Sequence, residues 1–265
     1  MGNSIILDTK NSIATLTLNR PDALNALNAE LADDLFHNLA SLENECSIRC
    51  VIIRGAGGHF MAGGDLKSFY KELERKPDER RRHFELFVGK VHPIIQTIKR
   101  MPKPVIASVE GAAGGFGMSL MMSCDLAIAA NNSYFTLAYT LIGTSPDGSS
   151  TWFLPRLVGL RKAMELALLS DRFTAETAEK MGLINKIVTN NKLKEETNKL
   201  ALRLAQGPTA AYANTKLLMN RSLESTLDSQ LQAEAECFSK CAATDDFAEG
   251  ISSFVEKRKP VFNGK

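Results

Sequence analysis

The sequence has no run of apolar residues long enough to span a bilayer, and no charged start followed by an apolar stretch of signal-peptide length. Export and membrane insertion are not expected, and the cytoplasm is the expected compartment. An excess of one charge is also missing. Thirty-two basic residues stand against 30 acidic ones, for a formal net charge of +2. Lys and Arg are spread along the chain, so the electrostatic footprint of a nucleic-acid or membrane-surface binder is absent. The densest basic cluster is Lys257-Arg258-Lys259.

Cysteine is sparse and odd in number: five thiols without an export signal argue for free cysteines rather than a disulfide framework. Cys46/Cys50 and Cys237/Cys241 form spaced pairs, but no histidine stands near enough in sequence to complete a zinc site, and no metal is expected. His37, His59 and His83 sit in polar surroundings without metal-ligand spacing. Nucleotide signatures are lacking too. Gly114, Gly115 and Gly117 miss the G-x-G-x-x-G spacing, and no P-loop lysine is present.

What remains is a chain of ordinary globular composition with alternating β and α signals. "IATLTL" (13–18), "CVIIRG" (50–55), "PVIASV" (104–109), "DLAIAA" (125–130), "YFTLA" (134–138) and "LINKIV" (183–188) read as strands. "NAELADDLFHNLASLEN" (28–44) reads as a helix with Asn28 as N-cap and Leu31, Leu35, Leu39 and Leu42 on one face. Two polar helical stretches precede residue 104, and three amphipathic helical segments are expected from about residue 190 onward. The reading is α/β, with a core over residues 1–190 and a helical region over 191–265.

Two glycine-rich loops, "HFMAGGDL" (59–66) and "EGAAGGFGMSL" (110–120), each follow an apolar strand and precede a helical segment. Glycine lets a ligand approach the backbone closely. Two N–H donors from two loops suit one task well, holding a single oxygen that gains negative charge during a reaction. Tight strand-to-helix turns are the other use of such glycines.

With these loops in view, the sequence resembles the crotonase superfamily of enoyl-CoA hydratases and isomerases. The resemblance rests on "LNRPDALNALN" (18–28), "FMAGGDL" (60–66), "PKPVIASVEGAAGGFGMSLMMSCDLAIA" (102–129), "FTLAYTLIGTSPDGSSTWFLPRLVG" (135–159), "AEKMGLINKIV" (178–188) and "FVEKRKPVF" (254–262), six pieces in one order. It implies a spiral of ββα units, a C-terminal helical trimerisation region giving a homotrimer or a dimer of trimers, and acyl-CoA thioester substrates. No separate cofactor is implied, because coenzyme A is part of the substrate. The oxyanion donors would be the N–H groups of Gly64 and Phe116, with Gly115 a one-residue alternative. Coenzyme A would lie along Arg20 and Ala23, with Ala62, Asp65 and Leu66 by its adenine. Phe254 and Lys257 would reach a coenzyme A held mainly by a neighbouring subunit. Phe69, Phe84, Phe87 and Val88 lie in the region that lines the acyl pocket in similar proteins.

The chain departs from hydratases at two places. Where they carry two glutamates, this sequence has Ser119 and Tyr139, neither of them a carboxylate. The remaining acid of the matching region is Asp147, in a context that looks closest to the ring-epoxide phenylacetyl-CoA isomerase branch. Ser145-Pro146-Asp147-Gly148 also fits a type I turn, with Pro second and Gly fourth, and Asp147 is a good cap for the helix that follows. One acid suffices for an isomerase, which takes a proton from one carbon and returns it to another. Burial against Trp152, Phe153 or Tyr139 is expected to raise the Asp147 pKa. His92 matches a histidine that activates water in hydrolytic aryl-CoA dehalogenases. The expectation is an enoyl-CoA isomerase with Asp147 as acid–base. The alternatives are a hydratase, such a dehalogenase, or a CoA-binding protein without catalysis.

Overall fold

The computed structural model describes residues 4–265. Strands β1 (Ile5–Lys10) and β2 (Ile13–Leu18), helix α1 (Ala29–Asn44) and strand β3 (Cys50–Gly55) open the chain. Helices α2 (Leu66–Lys71) and α3 (Pro77–Arg100), strands β4 (Val105–Val109) and β5 (Ala112–Gly114), and helix α4 (Phe116–Ser123) follow. Next come strands β6 (Leu126–Ala130) and β7 (Tyr134–Thr136), then helices α5 (Ser150–Val158) and α6 (Leu160–Leu169). Strand β8 (Phe173–Thr174), helix α7 (Ala175–Lys180) and strand β9 (Lys186–Val188) lead to helices α8 (Leu193–Ala205), α9 (Thr209–Ser222), α10 (Leu227–Ala242) and α11 (Asp245–Val255).

The larger sheet has the order β1-β2-β3-β4-β6-β9, antiparallel at β1/β2 and parallel elsewhere. A smaller sheet, β5-β7-β8, stands beside it. Burial on both faces explains why β3 reads as a continuous apolar run. Val51 and Ile53 face the main core, which contains Leu31, Leu35 and Leu39 of α1 and Ile94 and Ile98 of α3. Cys50 and Ile52 face the other way, onto Ala201 and Ala205 of α8. Asn28 caps α1, accepting the Leu31 N–H at 2.9 Å. All five cysteines are free thiols, three of them buried.

Three elements differ from the sequence reading. Strand β1 went unanticipated because only Ile5 of its six residues is buried, so it carries almost no alternation. Ala112–Gly114, taken as loop, pairs in parallel with β7. The carboxyl-terminal region has four helices rather than three. Pro208 separates α8 from α9, and Thr226 and Thr244 cap α10 and α11 through their side chains.

The glycine loops lie at the carboxyl ends of β3 and β4, and close approach fixes their glycines. A Cβ on Gly117 would stand 2.2 Å from the Met61 carbonyl oxygen, whereas one on Gly89, exposed in α3, would meet nothing within 4 Å. Gly117→Ala is therefore expected to cost about 1–3 kcal/mol through forced backbone movement. Gly89→Ala should gain about 0.5–1 kcal/mol by lowering the entropy lost on helix formation. Denaturant unfolding of the two variants checks the contrast, and equal effects would contradict it.

Candidate active site

Main-chain hydrogen bonds lace the two loops together. Phe60 N–H donates to Glu110 at 2.8 Å, Met61 N–H to Ala112 at 3.0 Å, and Gly114 N–H to Met61 at 2.9 Å. The His59 ring Nδ1 accepts the Ala112 N–H at 3.1 Å. A third segment joins from the amino-terminal side, where Leu27 N–H donates to Gly63 at 2.7 Å and Asp65 N–H to Leu27 at 2.9 Å. Asn25, fully buried, holds that segment in place. Its side-chain amide donates to the carbonyls of Ala56 and His59, and its Oδ1 accepts the Arg20 N–H.

Among the described residues, neither Gly64 nor Phe116 donates its N–H to a protein acceptor, and both residues line the same cavity. Phe116 opens α4, whose first N–H groups have no intrahelical partner and carry the positive end of the helix dipole. Gly115, at φ 47°, makes the turn into that helix. A Cβ on Gly64 would come within 2.8 Å of the Phe69 ring, which would have to shift to admit it.

The cavity has a volume of about 1260 Å³, and Asp147 is the only acidic residue lining it. The turn carrying Asp147 differs from the expected type I turn. Ser150 N–H donates to the Asp147 carbonyl at 3.1 Å, and the two residues between them, Gly148 and Ser149, both have positive φ (56° and 75°). This is the pattern of a type I′ turn one register later. Phe116 and Ser119 explain the shift: a Cβ on Gly148 would lie 2.5 Å from the Phe116 ring and 3.1 Å from Ser119 Cβ. Asp147 does not cap α5, whose N-cap is Ser149 without a side-chain bond.

The Asp147 carboxylate instead accepts a hydrogen bond from the Tyr139 hydroxyl at 2.6 Å. Ser119, fully buried beneath Gly148, donates to the Asp147 carbonyl at 3.1 Å, and its Oγ lies 2.5 Å from the Ser150 Oγ. Burial pushes the Asp147 pKa above the ordinary carboxylate range, although the Tyr139 hydrogen bond and the His92 ring act in the opposite direction. Burial likewise raises the Tyr139 phenol, with the Asp147 charge adding to it. Tyr139 is thus a donor, not an acid, at neutral pH. Trp152 and Phe153 do not line the cavity: Trp152 Nε1 donates to Glu224 at 3.2 Å, and Phe153 lies under Lys99.

The cavity gathers Gly64, Phe116, Tyr139, Asp147, His92, Ala62 and Leu66, with Gly115, Phe69, Phe84, Phe87 and Val88 beside them. Arg20, Ala23, Asp65, Phe254 and Lys257 are not part of its lining. The Asp65 side chain is already committed. It caps α2 by accepting from Lys67 and Ser68 and pairs with Arg20 at 2.8 Å. Partial burial alone would raise its pKa, but those bonds outweigh burial and hold it below the usual range. Phe254, on α11, is 84% exposed, and Lys257 follows that helix at φ 55°.

The enoyl-CoA hydratase/isomerase family profile matches residues 8–265. The chain belongs to that family. It is 36% identical to the 1,2-epoxyphenylacetyl-CoA isomerase of Escherichia coli over 261 residues, covering 98% of each chain. It is 33% identical to the short-chain-enoyl-CoA hydratase of Clostridium acetobutylicum, covering 97% of this chain and 96% of that one. The crystal structure of an enoyl-CoA hydratase from Polaromonas sp. JS666 superposes with a TM-score of 0.91 at 34% identity, covering 98% of this chain and 99% of the other.

Within this enoyl-CoA hydratase/isomerase, sequence reasoning missed Asn25, His59 and Ser150. Asn25 had a legible signal, since asparagine tolerates the left-handed region it occupies at φ 56°. His59 and Ser150 act through contacts distant in sequence, for which no local pattern exists.

The raised Asp147 pKa sets a sign for stability. Its neutral form is favoured in the native state, so stability falls as pH rises from the unfolded pKa, about 3.9, through the folded one, and the penalty persists above. Asp147→Asn removes that penalty. The variant is expected to melt higher than wild type at pH 7, with the gain vanishing toward pH 4. A gain independent of pH would count against burial as the cause.

Proposed function

We propose that this protein is an enoyl-CoA isomerase, acting on a carbon–carbon double bond or on a ring epoxide, with Asp147 as its acid–base. The observation that carries the reading is the single carboxylate in the cavity, held in one orientation by Tyr139. In its ionised form Asp147 takes a proton from the carbon next to, or conjugated with, the thioester carbonyl. Electron density moves to the thioester oxygen, which accepts hydrogen bonds from the N–H groups of Gly64 and Phe116, and the protonated Asp147 returns the proton to another carbon. No water is consumed. Loss of one oxyanion donor typically costs about two to three powers of ten in rate, so the two N–H groups account for a large part of the barrier lowering.

Burial of Ser119 supports isomerisation over hydration. The position of one hydratase glutamate lies under Gly148, outside the cavity lining, and the other is the Tyr139 phenol. Coenzyme A is read along Ala62 and Leu66 at the cavity, with Arg20, Ala23 and Asp65 behind them and Phe254 and Lys257 reaching a neighbouring subunit. The protein is read as a cytoplasmic homotrimer or dimer of trimers, and exposed apolar residues on the last helices, among them Leu227, Phe238 and Phe254, fit burial between subunits.

Mass spectrometry of products from 2-enoyl-, 3-enoyl- and ring-epoxide phenylacetyl-CoA esters tests the chemistry. A rearranged product of unchanged mass, lost in Asp147→Asn, is expected. A product heavier by one water would make the enzyme a hydratase. Tyr139→Phe supplies a second test. It removes a hydrogen bond that lowers the Asp147 pKa, so the acid limb of the kcat/KM profile should move to higher pH. An unmoved limb would detach Asp147 from the rate.

A further inference from the structure

We propose that the acyl group accepted by this site ends in a carboxylate, which Arg80 binds at the far end of the cavity. This rests on the acyl-CoA reading above and names the substrate class within it. Away from Asp147 the cavity wall becomes apolar and aromatic. Phe69 meets Phe84 and Phe87 edge to face, with ring centroids 5.0 and 5.6 Å away, and Leu73 and Pro77 continue the wall. Such a wall strips water from a methylene chain. The lining also carries charge: Arg80 and Arg81, near the start of α3, line the same cavity, with Leu73 and Pro77 on its exposed side.

Of the two, Arg80 is the unpaired one. Arg81 is in an ion pair with Glu85 at 3.3 Å, and the nearby Glu72 carboxylate is shared between Arg75 and His83. Arg80 is half-buried, and among the described residues its side chain makes a single hydrogen bond, from Nη1 to the Leu73 carbonyl at 3.3 Å, which leaves most of its donor fork unused. A planar guanidinium at this place matches a carboxylate in both charge and shape. Spacing fixes the reach. Arg80 and His92, both on α3 and both lining the cavity, are twelve positions apart, or about 18 Å along the helix before side-chain reach is subtracted. A medium-length acyl chain bridges that distance, with its thioester end at Asp147. A chain ending in methyl would leave the guanidinium unpaired.

Coenzyme A also carries anionic phosphates, so the test separates the two sources. Isothermal titration compares two saturated thioesters that cannot isomerise, octanoyl-CoA and the mono-CoA ester of octanedioic acid, with free coenzyme A as the third ligand. Wild type is expected to favour the diacid ester by about tenfold to a hundredfold. Arg80→Met should erase that preference, Arg80→Lys should keep part of it, and neither should change the affinity for free coenzyme A. Equal binding of the two esters by wild type would overturn the proposal. So would a loss of coenzyme A affinity in Arg80→Met, which would assign the arginine to the phosphates. If neither ester nor coenzyme A binds wild type, the acyl-CoA reading falls and this proposal with it.

Discussion

Backbone against backbone, without side chains between, is the constraint on which this molecule depends. The loops after β3 and β4 come so close that the Met61 carbonyl occupies the space where a Gly117 side chain would be, and Met61 is bonded to the second loop through both its N–H and its carbonyl. This lacing pairs main-chain groups of the two loops with one another. The N–H groups of Gly64 and Phe116 take no part in it. Both residues line the cavity, and under the proposed function their N–H groups are the preorganised donors that stabilise an oxyanion without reorganisation during the reaction.

Asp147 obeys the opposite logic. A carboxylate in a largely buried site is costly in its charged form, and the structure offsets that cost only partly, through one phenol hydrogen bond and the nearby His92. Its turn is strained as well, with Ser149 at positive φ, a region unfavourable to a side chain. Stability is given up at Asp147, the carboxylate that the proposed function uses as its base, while Ser119 donates to its carbonyl and lies 2.5 Å from the Ser150 Oγ.

Much of this was legible in the sequence, and the boundary of legibility has a physical cause. Leu31, Leu35, Leu39 and Leu42 of α1 announced their burial by spacing, and Asn28 announced its cap. β3 was readable because burial on both faces leaves it no polar residue before Arg54. By contrast β1 is an edge strand with five of six residues exposed, and its composition says little about its pairing. The Asp147 turn misled for a different reason. Local chemistry favoured Pro146 and Gly148 as a type I turn, but Phe116 and Ser119, some thirty residues earlier, decide its conformation. Ranking Asp147 above its neighbours drew on resemblance to a family; its burial and its phenol partner needed the fold.

The two hydratase glutamate positions are filled by neutral groups. The Tyr139 hydroxyl donates to the Asp147 carboxylate at 2.6 Å, and a phenol there adds no second negative charge to a buried site. A carboxylate at 119 would have to displace Gly148, against which Ser119 packs, and with it the turn that carries Asp147. With its carboxylate on the α5 side of the site, this chain has neutral hydrogen-bonding groups on the other side, Ser119 and Tyr139.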